Sequence, residues 1–121
     1  MQGLTIGDLF ERLKYLPRDT PCYIEDEDGK HGVRYPHSYR GYYEQVALDI
    51  DESTTAIKAS ELYRMLEPLP GNYLTGWKGG EFLISDETPV WISRPGEVSD
   101  RRLVGLMLNR EGCKLVWEEE E

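Results

Sequence analysis

A chain of 121 residues with 39% hydrophobic and 11% aromatic content has room for one buried core and not for two, and its composition is that of a folded domain. Its 23 acidic residues outnumber 14 basic ones, for a net charge of −9, which excludes a general grip on duplex nucleic acid because phosphate neutralisation needs a basic face. No apolar run approaches a membrane span, the first residues lack the basic-then-apolar layout of a signal peptide, and Cys22 and Cys113 lack CxxC or metal-finger spacing. A cytoplasmic protein with reduced, structural thiols is expected.

In chain order, Leu4, Ile6, Leu9, Phe10, Leu13 and Leu16 fall at the spacing of one helical face, and Pro17 ends the run. Thr5 and Asp8 form the N-cap pair of this first helix. Asp19-Thr20-Pro21-Cys22-Tyr23-Ile24 then opens a short β-rich run, Gly29 to Tyr42 reads as an insertion, and Tyr43 to Ile50 alternates as a strand through Val46, Leu48 and Ile50. The order recurs. Ile57 to Pro70 aligns without gaps on Leu4 to Pro17 as a second helix, and an insertion follows from Gly71 to Ser85. Glu87-Thr88-Pro89-Val90-Trp91-Ile92 then repeats the acidic-Thr-Pro opening, and Arg102 to Leu108 alternates as a strand. Lys114 to Trp117 closes the sheet.

This pattern predicts a single α+β domain over residues 1–117, with two short helices on one face of a mainly antiparallel sheet and an acidic, disordered tail over 118–121. The two helix-strand-strand halves read as an internal duplication. The competing explanation is chance similarity between amphipathic helices that end at proline.

The two insertions hold the distinctive side chains. The second, Asn72 to Ile84, is a hairpin about Lys78-Gly79-Gly80, where glycine supplies the positive φ of a tight turn. That requirement accounts for the glycines by itself, yet Trp77 and Lys78 beside them could also present an indole, an ammonium and open N–H groups to a phosphate or an aromatic ring. The first insertion gathers Lys30, His31, Arg34, His37 and Arg40 with Tyr35, Tyr39, Tyr42 and Tyr43. These cations either pair with the neighbouring Glu25 to Asp28 run or form an aromatic-lined surface for a compact anion. Arg101 and Arg102 could contribute from the equivalent place in the second half.

No HExxH, paired Cys/His spacing or nucleophile elbow is present, so neither a metal nor a cofactor is expected, and no catalytic residue can be assigned. The acidic runs Glu25 to Asp28, Asp49 to Glu52 and Glu118 to Glu121 read as solvated turns and a tail. A sharper alternative makes them a carboxylate surface for a basic protein partner.

Three segments, Ser38-Tyr39-Arg40-Gly41-Tyr42-Tyr43-Glu44-Gln45-Val46-Ala47-Leu48, Thr75-Gly76-Trp77-Lys78-Gly79-Gly80-Glu81-Phe82 and Thr88-Pro89-Val90-Trp91-Ile92, together resemble a group of small tailed-phage proteins. That group carries SYRGYYxxLAL, TGYKGGxF and TPVWV motifs. The resemblance spans most of residues 36 to 106 and departs at Trp77, where the group has tyrosine. It implies a phage accessory protein acting in the host cytoplasm, in a setting where proteins of similar size act against host defences by sequestering nucleotide immune signals. The expected site is therefore a ligand surface of Tyr39, Arg40, Tyr42, Tyr43, Trp77, Lys78, Gly79, Gly80, Arg101 and Arg102, binding a small nucleotide-like anion without turnover in a homo-oligomer. The alternative is an acidic inhibitor of a host protein.

Overall fold

The structure, a computed structural model, describes residues 3–95, 97 and 101–119. It is a mixed α/β fold with two short helices and a mostly antiparallel sheet of seven strands. Helix α1 (Ile6–Lys14) leads into strands β1 (Pro21–Asp26), β2 (Gly29–His37) and β3 (Val46–Asp51), with a 3₁₀ turn at Gly41–Tyr43 between the last two. Strand β4 (Ile57–Lys58) and helix α2 (Ala59–Leu66) follow, then a hairpin of β5 (Tyr73–Thr75) and β6 (Glu81–Leu83), and finally β7 (Val90–Ser93), β8 (Arg101–Asn109) and β9 (Gly112–Glu119).

The strand order is β2-β3-β7-β8-β9-β1-β4, and β1 also pairs with β2, so six strands form a closed ring of hydrogen-bonded neighbours. This closure removes most of the sheet's edges. Among the described residues, only the β3–β7 and β1–β9 pairings are parallel. The hairpin β5–β6 stands apart as a second sheet.

Both helices form for the reasons their sequences suggest. Thr5 Oγ1 accepts from the Asp8 N–H at 3.1 Å and Asp8 Oδ2 accepts from the Thr5 N–H at 3.0 Å, closing a capping box with aspartate in the place of the usual glutamate. Thr5→Ala is expected to cost about 1 kcal/mol, read as a lower urea midpoint at unchanged slope. The N-terminus of α2 has no side-chain cap; the Ala59 and Ser60 N–H groups donate to the Thr20 and Arg18 carbonyls, so the chain entering β1 caps the second helix. Ile6, Leu9 and Leu13 from α1 join Ala59, Leu62 and Leu66 from α2 in one core with Ile24, Leu48, Ile92 and Leu115. Phe10 and Tyr63 meet edge-on at 5.2 Å between the helices.

Two expectations need correction. Gly29–His37, read as part of an insertion, is strand β2. Its sequence hides this because Val33 is its one aliphatic residue and Pro36 interrupts it, and the ladder to β3 shifts register between Val33 and Pro36 to accommodate the break. Strand β9 also runs on to Glu119, taking up Glu118 and Glu119 of the expected tail; Glu118 pairs with Arg102 at 2.9 Å. Glu120 and Glu121 lie outside the described residues.

Candidate functional site

The two segments singled out in the sequence, about forty residues apart, lie against each other. The Trp77 and Lys78 N–H groups donate to the Ser38 and Tyr39 carbonyls at 3.0 and 2.9 Å, and the Gly41 N–H donates to the Gly79 carbonyl at 3.0 Å. The hairpin loop is tied internally as well, by bonds from the Gly76 N–H to the Gly80 carbonyl and from the Gly79 N–H to the Gly76 carbonyl. Contact is backbone on backbone. A Cβ built on Gly41 would lie 2.3 Å from the Gly80 carbonyl carbon, and one on Gly76 would lie 2.4 Å from the Gly41 nitrogen. Only glycine at both positions allows this approach.

The docking sets the aromatic residues side by side. Tyr39 meets Trp77 edge-on with centroids 5.0 Å apart, and Tyr42 meets Tyr43 at 4.8 Å. The neighbouring Tyr42 side chain raises the Tyr43 pKa above its ordinary value. The Arg40 guanidinium lies 5.5 Å from the Tyr39 ring centroid and the Lys78 ammonium 5.2 Å from that of Trp77. Trp77 remains 50% exposed, Tyr43 47% and Tyr42 64%. Among the described residues, no ion pair joins Arg40 or Lys78 to a carboxylate. The result is a surface of half-exposed rings with two cations at its rings' faces. Glu44, which ends the 3₁₀ turn, is the one non-glycine residue with positive φ among those described, at 51°, and it turns the chain into β3.

The remaining candidates are placed differently. Arg101 and Arg102 lie in β8, Arg102 in register with Trp91, and neither belongs to the docked loops. Arg101 stacks on Trp117 at 4.4 Å and Arg102 pairs with Glu118, so both work within the sheet. The Gly79 N–H, expected to face a ligand, instead serves the loop.

Two polar clusters lie outside the docked loops, and of their pairings the sequence offers only that of His31 with the 25–28 run. Beneath the Tyr/Arg segment, His37 Nε2 lies 2.8 Å from Ser93 Oγ and 2.9 Å from Asp49 Oδ1, and Ser93 Oγ donates to the same Asp49 oxygen at 2.9 Å. Asp49 is only 2% exposed, a correction to its reading as part of a solvated acidic run. The signal was present: Asp49 sits inside the apolar run of β3, where a carboxylate needs partners. This cluster links the ends of β2 and β7 to β3 and so anchors the start of the Tyr/Arg segment.

The second cluster surrounds Arg94. Its guanidinium bonds Asp26 at 2.9 Å, Asp28 at 3.3 Å and also Glu27, while His31 Nε2 holds the other Asp26 oxygen at 2.9 Å. Burial alone would push the Asp26 carboxyl up; the His31 hydrogen bond, the Asp28 N–H and the charges of His31 and Arg94 outweigh it and hold the group below its ordinary value. Glu25 pairs with Lys114 at 3.2 Å. The acidic run 25–28 is thus neutralised within the fold, which removes much of the carboxylate surface that a basic partner would meet. A cleft of about 690 Å³ beside this cluster has Arg34, Asp51, Glu52 and Arg94 on its walls and none of the docked-loop residues.

No helix among the described residues is long and apolar enough to cross a membrane. No protein-family model matches the chain, and no curated protein or solved structure was found to match it.

Proposed function

We propose that the protein binds a nucleotide-type anion on the docked loops and holds it without turnover. The observation that carries this reading is the backbone docking of Ser38–Gly41 onto Gly76–Gly80, which brings Tyr39 and Arg40 against Trp77 and Lys78, with the Tyr42–Tyr43 pair following directly in the chain. Nucleobases stack on such rings whatever their identity, and phosphates pair with guanidinium and ammonium groups. Tyr39, Tyr42 and Trp77 are the stacking residues of this scheme, and Arg40 and Lys78 the phosphate contacts. An exposed surface of this kind gains depth when a second copy covers it, which favours a symmetric homo-oligomer.

The motif resemblance supplies the setting: a phage accessory protein in the host cytoplasm that withdraws a nucleotide immune signal, such as a cyclic oligonucleotide or an ADP-ribose derivative. The same reading includes an internal duplication. Its support is that β1, β2 and β3 pair in antiparallel succession as β7, β8 and β9 do, while β3–β7 and β9–β1 supply matching parallel junctions.

The test is to incubate the protein with a panel of cyclic di- and trinucleotides and ADP-ribose derivatives, remove free compound, heat-denature, and chromatograph what is released. Intact release of one compound is expected. Trp77→Ala is then expected to weaken its retention about 5- to 100-fold and Arg40→Ala at least about tenfold, as lost stacking and a lost charged hydrogen bond require. Recovery of a converted compound would make the protein an enzyme. Panel-wide failure to bind, or full retention by Arg40→Ala, would remove the reading.

A further inference from the structure

The chain has two cysteines, and the fold brings them together from opposite ends of the sequence. Cys22 in β1 and Cys113 in β9 are register partners across the parallel pairing of those strands, and both are fully buried and free. Register partners on adjacent strands have Cα atoms about 4.8 Å apart, within the span of about 4.4–6.8 Å that a disulfide bridges. The Cys22 thiol donates to the Thr20 carbonyl at 3.7 Å, and it lies near enough to Cys113 for each to perturb the other's titration. The Cys113 neighbour and burial hold Cys22 above the ordinary thiol range, whereas at Cys113 the influence of Cys22 outweighs the upward push of burial and holds that thiol below it. Such a pairing is not what two independent apolar space-fillers require, since either could as well be alanine or valine.

We propose that Cys22 and Cys113 form a redox-active dithiol, which a low-molecular-weight disulfide oxidises to a bond stapling β1 to β9. The Cys113 thiolate attacks one sulfur of the reagent, breaking its S–S bond and expelling one thiolate. The Cys22 thiol then gives up its proton, and its sulfur attacks the Cys113 sulfur and expels the second thiolate. The two cysteine sulfurs lose two electrons in total, the reagent gains them, and the two protons end on its two thiol products.

The place of the bond gives it an effect. The β1–β9 pairing is one of the two parallel junctions of the ring and joins its first strand to its last, so a covalent bond there closes about three quarters of the chain into a loop. Access comes from the adjacent end of the β8–β9 hairpin, where Asn109 to Glu111 are exposed and Cys113 lies two residues beyond the turn. Local opening of a hairpin end needs far less than global unfolding.

The experiment is incubation of the folded, reduced protein with oxidised glutathione. Expected are loss of both thiols on titration under denaturing conditions and an intact mass lower by two hydrogens. A proteolytic fragment should link Cys22 to Cys113, and the melting temperature should rise by about 4 °C or more, reversed by dithiothreitol. Cys22→Ala should show neither the mass loss nor the melting shift. Two thiols still titratable after prolonged incubation, or a stable glutathione adduct at either cysteine in place of the internal bond, would overturn the proposal.

Discussion

Gly41→Ala is expected to lower the unfolding free energy by about 3 kcal/mol and to abolish ligand retention on the docked loops. The new methyl carbon would stand 2.3 Å from the Gly80 carbonyl carbon and 2.4 Å from the Glu81 nitrogen. Both obstacles are main-chain atoms, so no change of rotamer relieves the clash, and the loops must separate. Separation forfeits the hydrogen bonds that Trp77, Lys78 and Gly41 make across the junction and parts Tyr39 from Trp77. Urea unfolding measures the first effect, and the near-ultraviolet circular dichroism of the Tyr39–Trp77 pair reports the second. Gly76→Ala strikes the same contact from the other side, so the double variant should cost clearly less than the sum of the two single ones. A wild-type urea midpoint in Gly41→Ala would show that the docking does not hold in solution.

Arg94→Ala is expected to destabilise the fold by about 2–3 kcal/mol at neutral pH. It leaves the Asp26 carboxylate, whose side chain is 1% exposed, with His31 as its remaining side-chain partner. The figure sits below the upper range for breaking a buried pair because Arg94 keeps 22% of its side chain in solvent, where water screens its contacts with Glu27 and Asp28. A pH dependence follows from the same cluster. The folded Asp26 pKa is depressed, so its stabilisation is fully present above the ordinary aspartate value near 4 and is lost as pH falls through the lower folded value. Asp26→Asn should therefore flatten the acid limb of the stability profile below about pH 4, while stability near neutrality falls. An acid limb unchanged in Asp26→Asn would place the titrating carboxylates elsewhere.

Much of the architecture was legible from local pattern. The apolar spacing of Leu9 and Leu13, and of Leu62 and Leu66, announces two helices, and Thr5 with Asp8 marks where the first begins. Val46, Leu48 and Ile50 announce a buried strand. Each of these signals is short-range, set by helical or strand periodicity within a few residues. Strand β2 was not legible because its pattern is carried by one valine and a buried histidine, with Pro36 in the run; partners on both sides make it a strand. For the candidate site, residue types pointed to Tyr39, Arg40, Trp77 and Lys78, yet nothing local separates them from Arg101 and Arg102, which the fold employs in β8.

By itself, then, the sequence determined the class of fold, the two helices, most of the strands and the two segments rich in rings and cations, since each is written in adjacent residues. Tertiary structure alone decided that the sheet closes through β1, that Asp26 and Asp49 are buried and partnered, that Cys22 faces Cys113, and that the two segments meet. Those outcomes depend on strand register and on backbone contacts between residues distant in the chain. Pairings of that kind are selected by the energy of the whole assembled core, and a glycine such as Gly41 or Gly76 records them only as the absence of a side chain.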